Sequence, residues 1–105
     1  GTLGISIGSG SASDLAGNLA AAAGPSGTFD VDNTPPGISI GAPSAALTKS
    51  GPVTYTVTYS NASGVTLSDS DIVVSSTGSA VGTATVSGTG TTTRTVTLSA
   101  LSGDG

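Results

Sequence analysis

The sequence predicts an all-β protein, an antiparallel β-sandwich built from seven short strands. The clearest strand is residues 52–60, where valines and tyrosines alternate with threonines at the period of two expected when one face of a strand is buried. Similar runs recur about every ten residues between Gly, Ser and Asn turns, a pattern typical of a sandwich. Because the chain has no cysteine, methionine or tryptophan, its core must come from Val, Ile, Leu and Ala.

Each predicted strand carries apolar residues at alternate positions that would face the core. Residues 13–23 are the one segment whose pattern is not that of a strand or a simple turn, because an N-cap residue, Ser13, and a run of alanines would allow a short helix. Gly17 and Asn18 interrupt that run, so we predict a loop with at most one or two helical turns. In chain order, the predicted inward residues are Leu3, Ile5 and Ile7; Phe29 and Val31; Ile38 and Ile40; Val53, Tyr55, Val57 and Tyr59; Ile72 and Val74; Ala84 and Val86; and Val96 and Leu98.

Residues 29–36, FDVDNTPP, look like a domain junction, because an alternating run ends there in a double proline. A chain of 105 residues can bury one modest core, not two. We therefore interpret residues 1–32 as the last two strands of one sandwich, 33–36 as a linker, and 37–105 as the first five strands of the next. The predicted sandwich is circularly permuted relative to the numbering, and residues 1–32 belong with a neighbouring repeat or subunit.

The charge balance restricts the partners and the chemistry. All six acidic residues are aspartates, against only Lys49 and Arg94, so nucleic acid is not an expected partner. Without His, Cys or Glu there is neither a Ser-His-Asp arrangement nor a zinc site, and we expect no enzyme. No apolar run approaches the ~20 residues of a transmembrane helix. A cysteine-free chain with few charges and many hydroxyl side chains suits an extracellular or cell-surface bacterial protein.

Three short motifs resemble the Ig-like tandem repeats of giant bacterial surface proteins and adhesins. Such repeats typically run from a Gly-Asp-Gly-Thr-Leu turn into a strand, then an Asp-x-Ala-Gly-Asn loop, then a Val-Asp-x-Thr-x-Pro linker. The matching residues are 103–105 followed by Thr2 and Leu3, then 14–18, and then 31–36. The resemblance implies a seven-strand Ig-like sandwich that acts as a structural module, giving length and stiffness to a surface fibre.

Two ways of joining such modules stay open. The chain is either one period of a covalent tandem array or a separate subunit whose strands complete the sandwich of the next copy by donor-strand complementation. Both arrangements make neighbouring copies of the chain its partners. A third hypothesis is a glycan-binding module. It is disfavoured because glycans are usually bound by exposed aromatic side chains, whereas Phe29, Tyr55 and Tyr59 are all predicted to face inward.

Aspartates near the predicted junction indicate a calcium site, because Ca²⁺ prefers six to eight oxygen ligands. Asp30 and Asp32 lie two apart on a predicted strand and so project from the same face. Asp14 and Asn18 could fold onto the same end of the module, and Asn33 lies adjacent to it. The resemblance points the same way, since repeats of this type often hold calcium at the junction.

The opposing interpretation is that these residues only form turns. We expect this of Asp69 and Asp71 in preference to a pair of glycosidase carboxylates, because nothing in the sequence would raise the pKa of one as an acid. The complete set of candidate calcium ligands is Asp14, Asn18, Asp30, Asp32, Asn33, Asp69, Asp71 and Asp104.

Overall fold

A computed structural model describes all 105 residues of the chain. The fold is all-β with antiparallel sheets, as predicted, and its one helical element is a single 3-10 turn at Asp69–Asp71. The chain forms two compact units, Gly1–Thr34 and Pro35–Gly105, which we call the N-terminal hairpin and the sheet unit. The division between them falls in the segment interpreted as a linker, residues 33–36.

The N-terminal hairpin is a long, irregular pair of strands. Strand β1 (Thr2–Leu3) pairs with strand β2 (Phe29–Asp30), and two isolated bridges continue the pairing towards a turn at residues 14–18. None of its side chains is buried, and Ala20 is the only one that is half-buried. A two-stranded hairpin without a covered face is at best marginally stable in water. The bridges join Ile7 to Ala23 and Ser13 to Leu19.

The sheet unit contains a four-stranded antiparallel sheet. Its strands are β3 (Gly37–Ile40), β4 (Val53–Ser60), β5 (Val81–Ser87) and β6 (Thr93–Ser102). They lie in the order β3-β4-β6-β5, so β4 and β6 are central and β3 and β5 are the edges. The longest strands therefore occupy the centre of the sheet, where both of their edges are paired.

The apolar core of the sheet unit lies on one face of β4 and β6. Tyr55 and Val86 pair with Val96 from opposite sides, which places these three side chains on the same face. The buried residues are Val53, Val57 and Val96, at 7%, 3% and 6% exposure. The predicted inward face of β4 is correct, although Tyr55 is half-buried.

One predicted strand is absent from the structure. Residues 72–74, predicted as a strand around Ile72 and Val74, form no strand, so the chain has six strands in place of seven. Both edges of β4 and β6 are already paired within the sheet, and residues 72–74 pair with neither of the two free edges, at β3 and β5. Residues 13–23 form a loop with no helical turn, which agrees with the predicted loop.

Shortening Val57 should test the assignment of the core face. We expect Val57→Ala to lower the free energy of unfolding by about 2 kcal/mol, because two buried methyl groups are lost and a cavity remains. The matched control is Thr56→Ala, next to it on the exposed face, which should change stability by less than about 0.5 kcal/mol. Equal losses in urea unfolding would contradict the face assignment.

Candidate functional site

The most distinctive feature of the sheet unit is an apolar groove on the inward face of its sheet. Strands β4 and β6 form the floor, Ile40 of β3 forms one wall, and residues 72–75 form the other. Its volume is about 230 Å³. The lining residues are Ile40, Tyr55, Val57, Ile72, Val73, Val74, Ser75, Val96 and Leu98.

The wall formed by residues 72–75 is attached to the sheet at its N-terminal end. The side chain of Arg94 donates from Nη2 to the carbonyl of Val65 at 3.4 Å. The backbone N–H of Val86 donates to Oδ1 of Asp69 at 2.7 Å. These bonds connect the loop that follows β4 to both β6 and β5, and so hold the start of the wall against the sheet.

Beyond the 3-10 turn the same wall makes no ladder with any strand. The N–H of Ile72 bonds to the carbonyl of Asp69, which only closes the turn. The next backbone bond to a distant segment is from Ser79 to the carbonyl of Asp104, at 2.7 Å. Residues 73–76 therefore offer unpaired backbone N–H and C=O groups along one side of the groove, which is the condition of an edge strand.

The rim of the groove is apolar and exposed. Ile40 is 70% exposed, Val73 87% and Val74 42%. Ile38, next to the groove on β3, is 64% exposed. Isolated exposed apolar side chains are ordinary, but several exposed apolar side chains beside one groove make it a candidate surface for contact with another apolar surface.

A second apolar surface, the hairpin stripe, lies on the N-terminal hairpin. Leu3 and Phe29 are direct partners across β1 and β2, so their side chains share a face. Ile5 and Ile7 follow Leu3 at alternate positions, and Val31 follows Phe29. All five side chains of this stripe are between 48% and 69% exposed.

The candidate ligand Asp14 caps the turn at the tip of the hairpin. Its Oδ1 accepts the backbone N–H groups of Ala16 and Asn18, and its Oδ2 accepts the side-chain amide of Asn18, all at 2.9 Å. The hydrogen bond from the Asn18 side chain, followed by the one from its backbone, lowers the pKa of Asp14 below its ordinary value. The arrangement is that of an Asx turn, in which the carboxylate is already used.

Three other candidate carboxylates also bind backbone groups of their own unit. Oδ1 of Asp32 accepts the N–H of Thr34 at 3.0 Å in the linker. Asp69 accepts the N–H of Val86, as described above. Oδ2 of Asp71 accepts the N–H of Ser68 at 2.9 Å, which places a carboxylate at the N-terminus of the 3-10 turn.

The candidate ligands do not assemble into one group within the chain. Asp14 and Asn18 lie at the tip of the hairpin, whereas Asp30 pairs with Thr2 at its open end. Asn33 follows this end, and Asp104 makes its hydrogen bonds to Ser79 through the backbone. The expectation that Asp14 and Asn18 fold onto the junction is wrong, because antiparallel pairing of the two arms separates tip from ends. No three acidic side chains lie close enough to hold a metal ion.

Comparison with known proteins identifies no relative of this chain. The chain matches no protein-family model, no curated protein sequence and no solved structure. No helix in it has the length and apolar character needed to cross a membrane. The apolar groove and the hairpin stripe are therefore the features from which function can be argued.

Sequence reasoning missed the apolar groove although one signal was present. Ile72, Val73 and Val74 are three consecutive apolar residues, which breaks the alternation of a half-buried strand. In the structure all three line the groove. Such a run indicates a segment with apolar surroundings on more than one side.

The Asx turn can be tested through the titration of Asp14. Because its pKa is lowered in the folded chain, the turn is stabilised above the ordinary pKa of 3.8 and loses this support as pH falls through the lower folded value. We expect Asn18→Ala to raise the pKa of Asp14, measured by carboxyl ¹³C NMR. Asn33→Ala, remote from the tip, is the control and should leave it unchanged. An Asp14 pKa that is insensitive to Asn18 would contradict the hydrogen-bond assignment.

Proposed function

We propose that the chain is a structural module of an extracellular bacterial surface fibre or giant adhesin, which joins to copies of itself and supplies length and stiffness. The observation that carries this proposal is the apolar face of the four-stranded sheet, which the chain covers only in part. A module of this kind needs a neighbour to complete its core, and a neighbour at every module makes a fibre.

The small buried core supports the need for a neighbour. Only three side chains of the chain are buried, and all three are valines, so no larger apolar side chain is buried. With no cysteine, the chain has no disulfide to compensate for a small core. Contact with another copy would remove further apolar surface from water, at about 25 cal/mol for each Å².

The chemistry of the chain supports a structural role over an enzymatic one. It contains no His, Cys or Glu, and the carboxylates of Asp14, Asp32, Asp69 and Asp71 accept backbone hydrogen bonds within their own unit. The walls of the apolar groove contain no charged side chain. A surface of this kind suits packing against an apolar partner better than it suits acid–base chemistry.

The two ways of joining copies differ in the covalent chain. In a tandem array the copies are successive repeats of one polypeptide, whereas in a donor-strand filament they are separate subunits. The mass of the denatured protein from its natural source separates them, because a separate subunit has a mass near 9.7 kDa. Either result is compatible with the proposed module.

The surface location can be tested on intact cells of the source organism. We expect antibodies against the chain to label unpermeabilised cells, and protease treatment of those cells to remove the label. Negative-stain electron microscopy of the shed material should show thin fibres with a regular axial repeat. Label that appears only after the cells are permeabilised, or material without fibres, would overturn the proposed function.

Calcium stays a prediction of this proposal, restricted to junctions between copies. One chain alone does not supply three carboxylates to one place, so the missing ligands would come from the neighbouring copy. In assembled material we expect Ca²⁺ to raise the melting temperature and Asp32→Ala to remove that increase. Mg²⁺ should substitute poorly because it requires a tighter octahedral shell. An identical melting temperature with Ca²⁺ and with chelator would contradict a calcium role.

A further inference from the structure

We infer that the apolar groove is a docking site for the N-terminal hairpin of a second copy of this chain. This inference rests on the proposed function and names the surfaces through which the copies join. In the docked arrangement the arm containing residues 1–8 pairs with the free backbone groups of residues 73–76, and the hairpin stripe closes the groove.

The strand order of the sheet unit indicates what is missing from it. The order β3-β4-β6-β5 is that of the four-stranded sheet of an immunoglobulin constant-type sandwich, formed by its first, second, fifth and fourth strands. In that architecture the third, sixth and seventh strands form the opposing sheet. Residues 65–76 occupy the chain position of the third strand, and the sheet unit has no sixth or seventh strand. The N-terminal hairpin is a pair of strands with no opposing sheet of its own.

The two surfaces have complementary character. The groove exposes an apolar rim at Ile40, Val73 and Val74, and the hairpin exposes the stripe that includes Leu3, Ile5 and Phe29. The hairpin has three aspartates and no basic residue, so its net charge is −3. The sheet unit has Lys49 and Arg94 against three aspartates, a net charge of −1. The hairpin of one copy and the sheet unit of a second copy therefore repel weakly. Their contact depends on apolar burial and should strengthen as salt screens the repulsion.

Proline decides which arm of the hairpin lies beside the wall. Pro25 is in the arm that contains β2 and has no N–H to give to a ladder, so that arm suits an outer edge. The arm of residues 1–8 has no proline and carries three of the five apolar residues in the stripe. It is therefore the arm suited to pairing on both sides.

The direction of the wall then orients the hairpin. Residues 65–79, the segment that contains the wall, begin near the start of β6, where Arg94 bonds to Val65, and end near the finish of β6, where Ser79 bonds to Asp104. All strand pairs of the chain are antiparallel. An antiparallel arm of residues 1–8 would start at the Asp104 end of the sheet, which brings Gly1 and Val31 of the hairpin to that end.

A hairpin of the same chain could not take this place. Strand β3 begins at Gly37, opposite Ser60 and thus at the end of the sheet where β6 starts. The ten residues of β6 span about 30 Å at about 3.3 Å per residue. The chain from Val31 to Gly37 reaches at most about 21 Å when fully extended. The occupant of the groove is therefore a second copy, and repeated docking of this head-to-tail kind makes an open-ended chain of copies.

A pair of complementary variants tests this docking on the full chain. Ile5→Asp places a charge in the hairpin stripe, and Val74→Asp places one in the groove. Each should weaken self-association at least roughly tenfold, because a charge would be buried without a partner. The parent chain should form a concentration-dependent ladder of masses in sedimentation velocity. Ser6→Asp and Thr85→Asp add the same charge next to these surfaces but on the opposite faces, and should associate like the parent.

The decisive measurement is the equimolar mixture of Ile5→Asp and Val74→Asp. One variant keeps an intact groove and the other an intact hairpin, so the mixture should form a complex of about 19.4 kDa, twice the 9.7 kDa of the chain, and grow no further. This rescue also shows that both variants are folded. If either variant lacks the β-sheet circular dichroism of the parent, Ile5→Ser and Val74→Ser replace the pair with the same expected outcome.

Two results would overturn the docking. One is a parent chain that stays at 9.7 kDa up to its solubility limit, and the other is a mixture in which neither variant rescues its partner. Failure here is distinct from failure of the proposed function. Fibres on cells without rescue in the mixture would support the proposed structural module but exclude this groove as the joint between copies. Rescue in the mixture without fibres on cells would support the groove as the joint between copies but exclude the role in a surface fibre.

Discussion

The ladder between β4 and β6 is the interaction on which the rest of the structure depends. Val53, Val57 and Val96 bury their side chains on one face of this pair, while threonines occupy the other face. A sheet with one apolar face needs a second layer to cover that face. The loop between β4 and β5 supplies only part of this layer, which leaves the groove beside residues 72–75.

The partial cover has a mechanical consequence under the proposed docking. A core that is shared between copies cannot be separated without exposing apolar surface on both sides, so every junction would be as cohesive as a domain interior. The joint would also include a β-ladder, because residues 73–76 have backbone groups available. Such a fibre would resist extension along its whole length, without relying on a flexible linker for its strength.

The aspartates show how local geometry competes with ligand binding. Asp14 accepts three hydrogen bonds inside its own turn, and Asp69 connects the wall of the groove to β5. Short carboxylates form such local bonds readily, because their oxygens reach backbone N–H groups a few residues away. A similar density of acidic residues can therefore organise turns or bind cations, and only the placement of the carboxylates separates these roles.

The amino-acid sequence by itself determined the all-β class, the inward face of β4 and the change of unit near Pro35, because alternation and proline act over a few residues. The sequence could not decide whether Ile72 and Val74 belong to a strand, since a strand exists only where another segment offers an edge. Nor could it place Asp14 relative to Asp32, because their separation is set by the antiparallel pairing of the two arms of the hairpin. The tertiary structure decided these points, and it decided the groove, since all of them depend on which distant residues lie side by side.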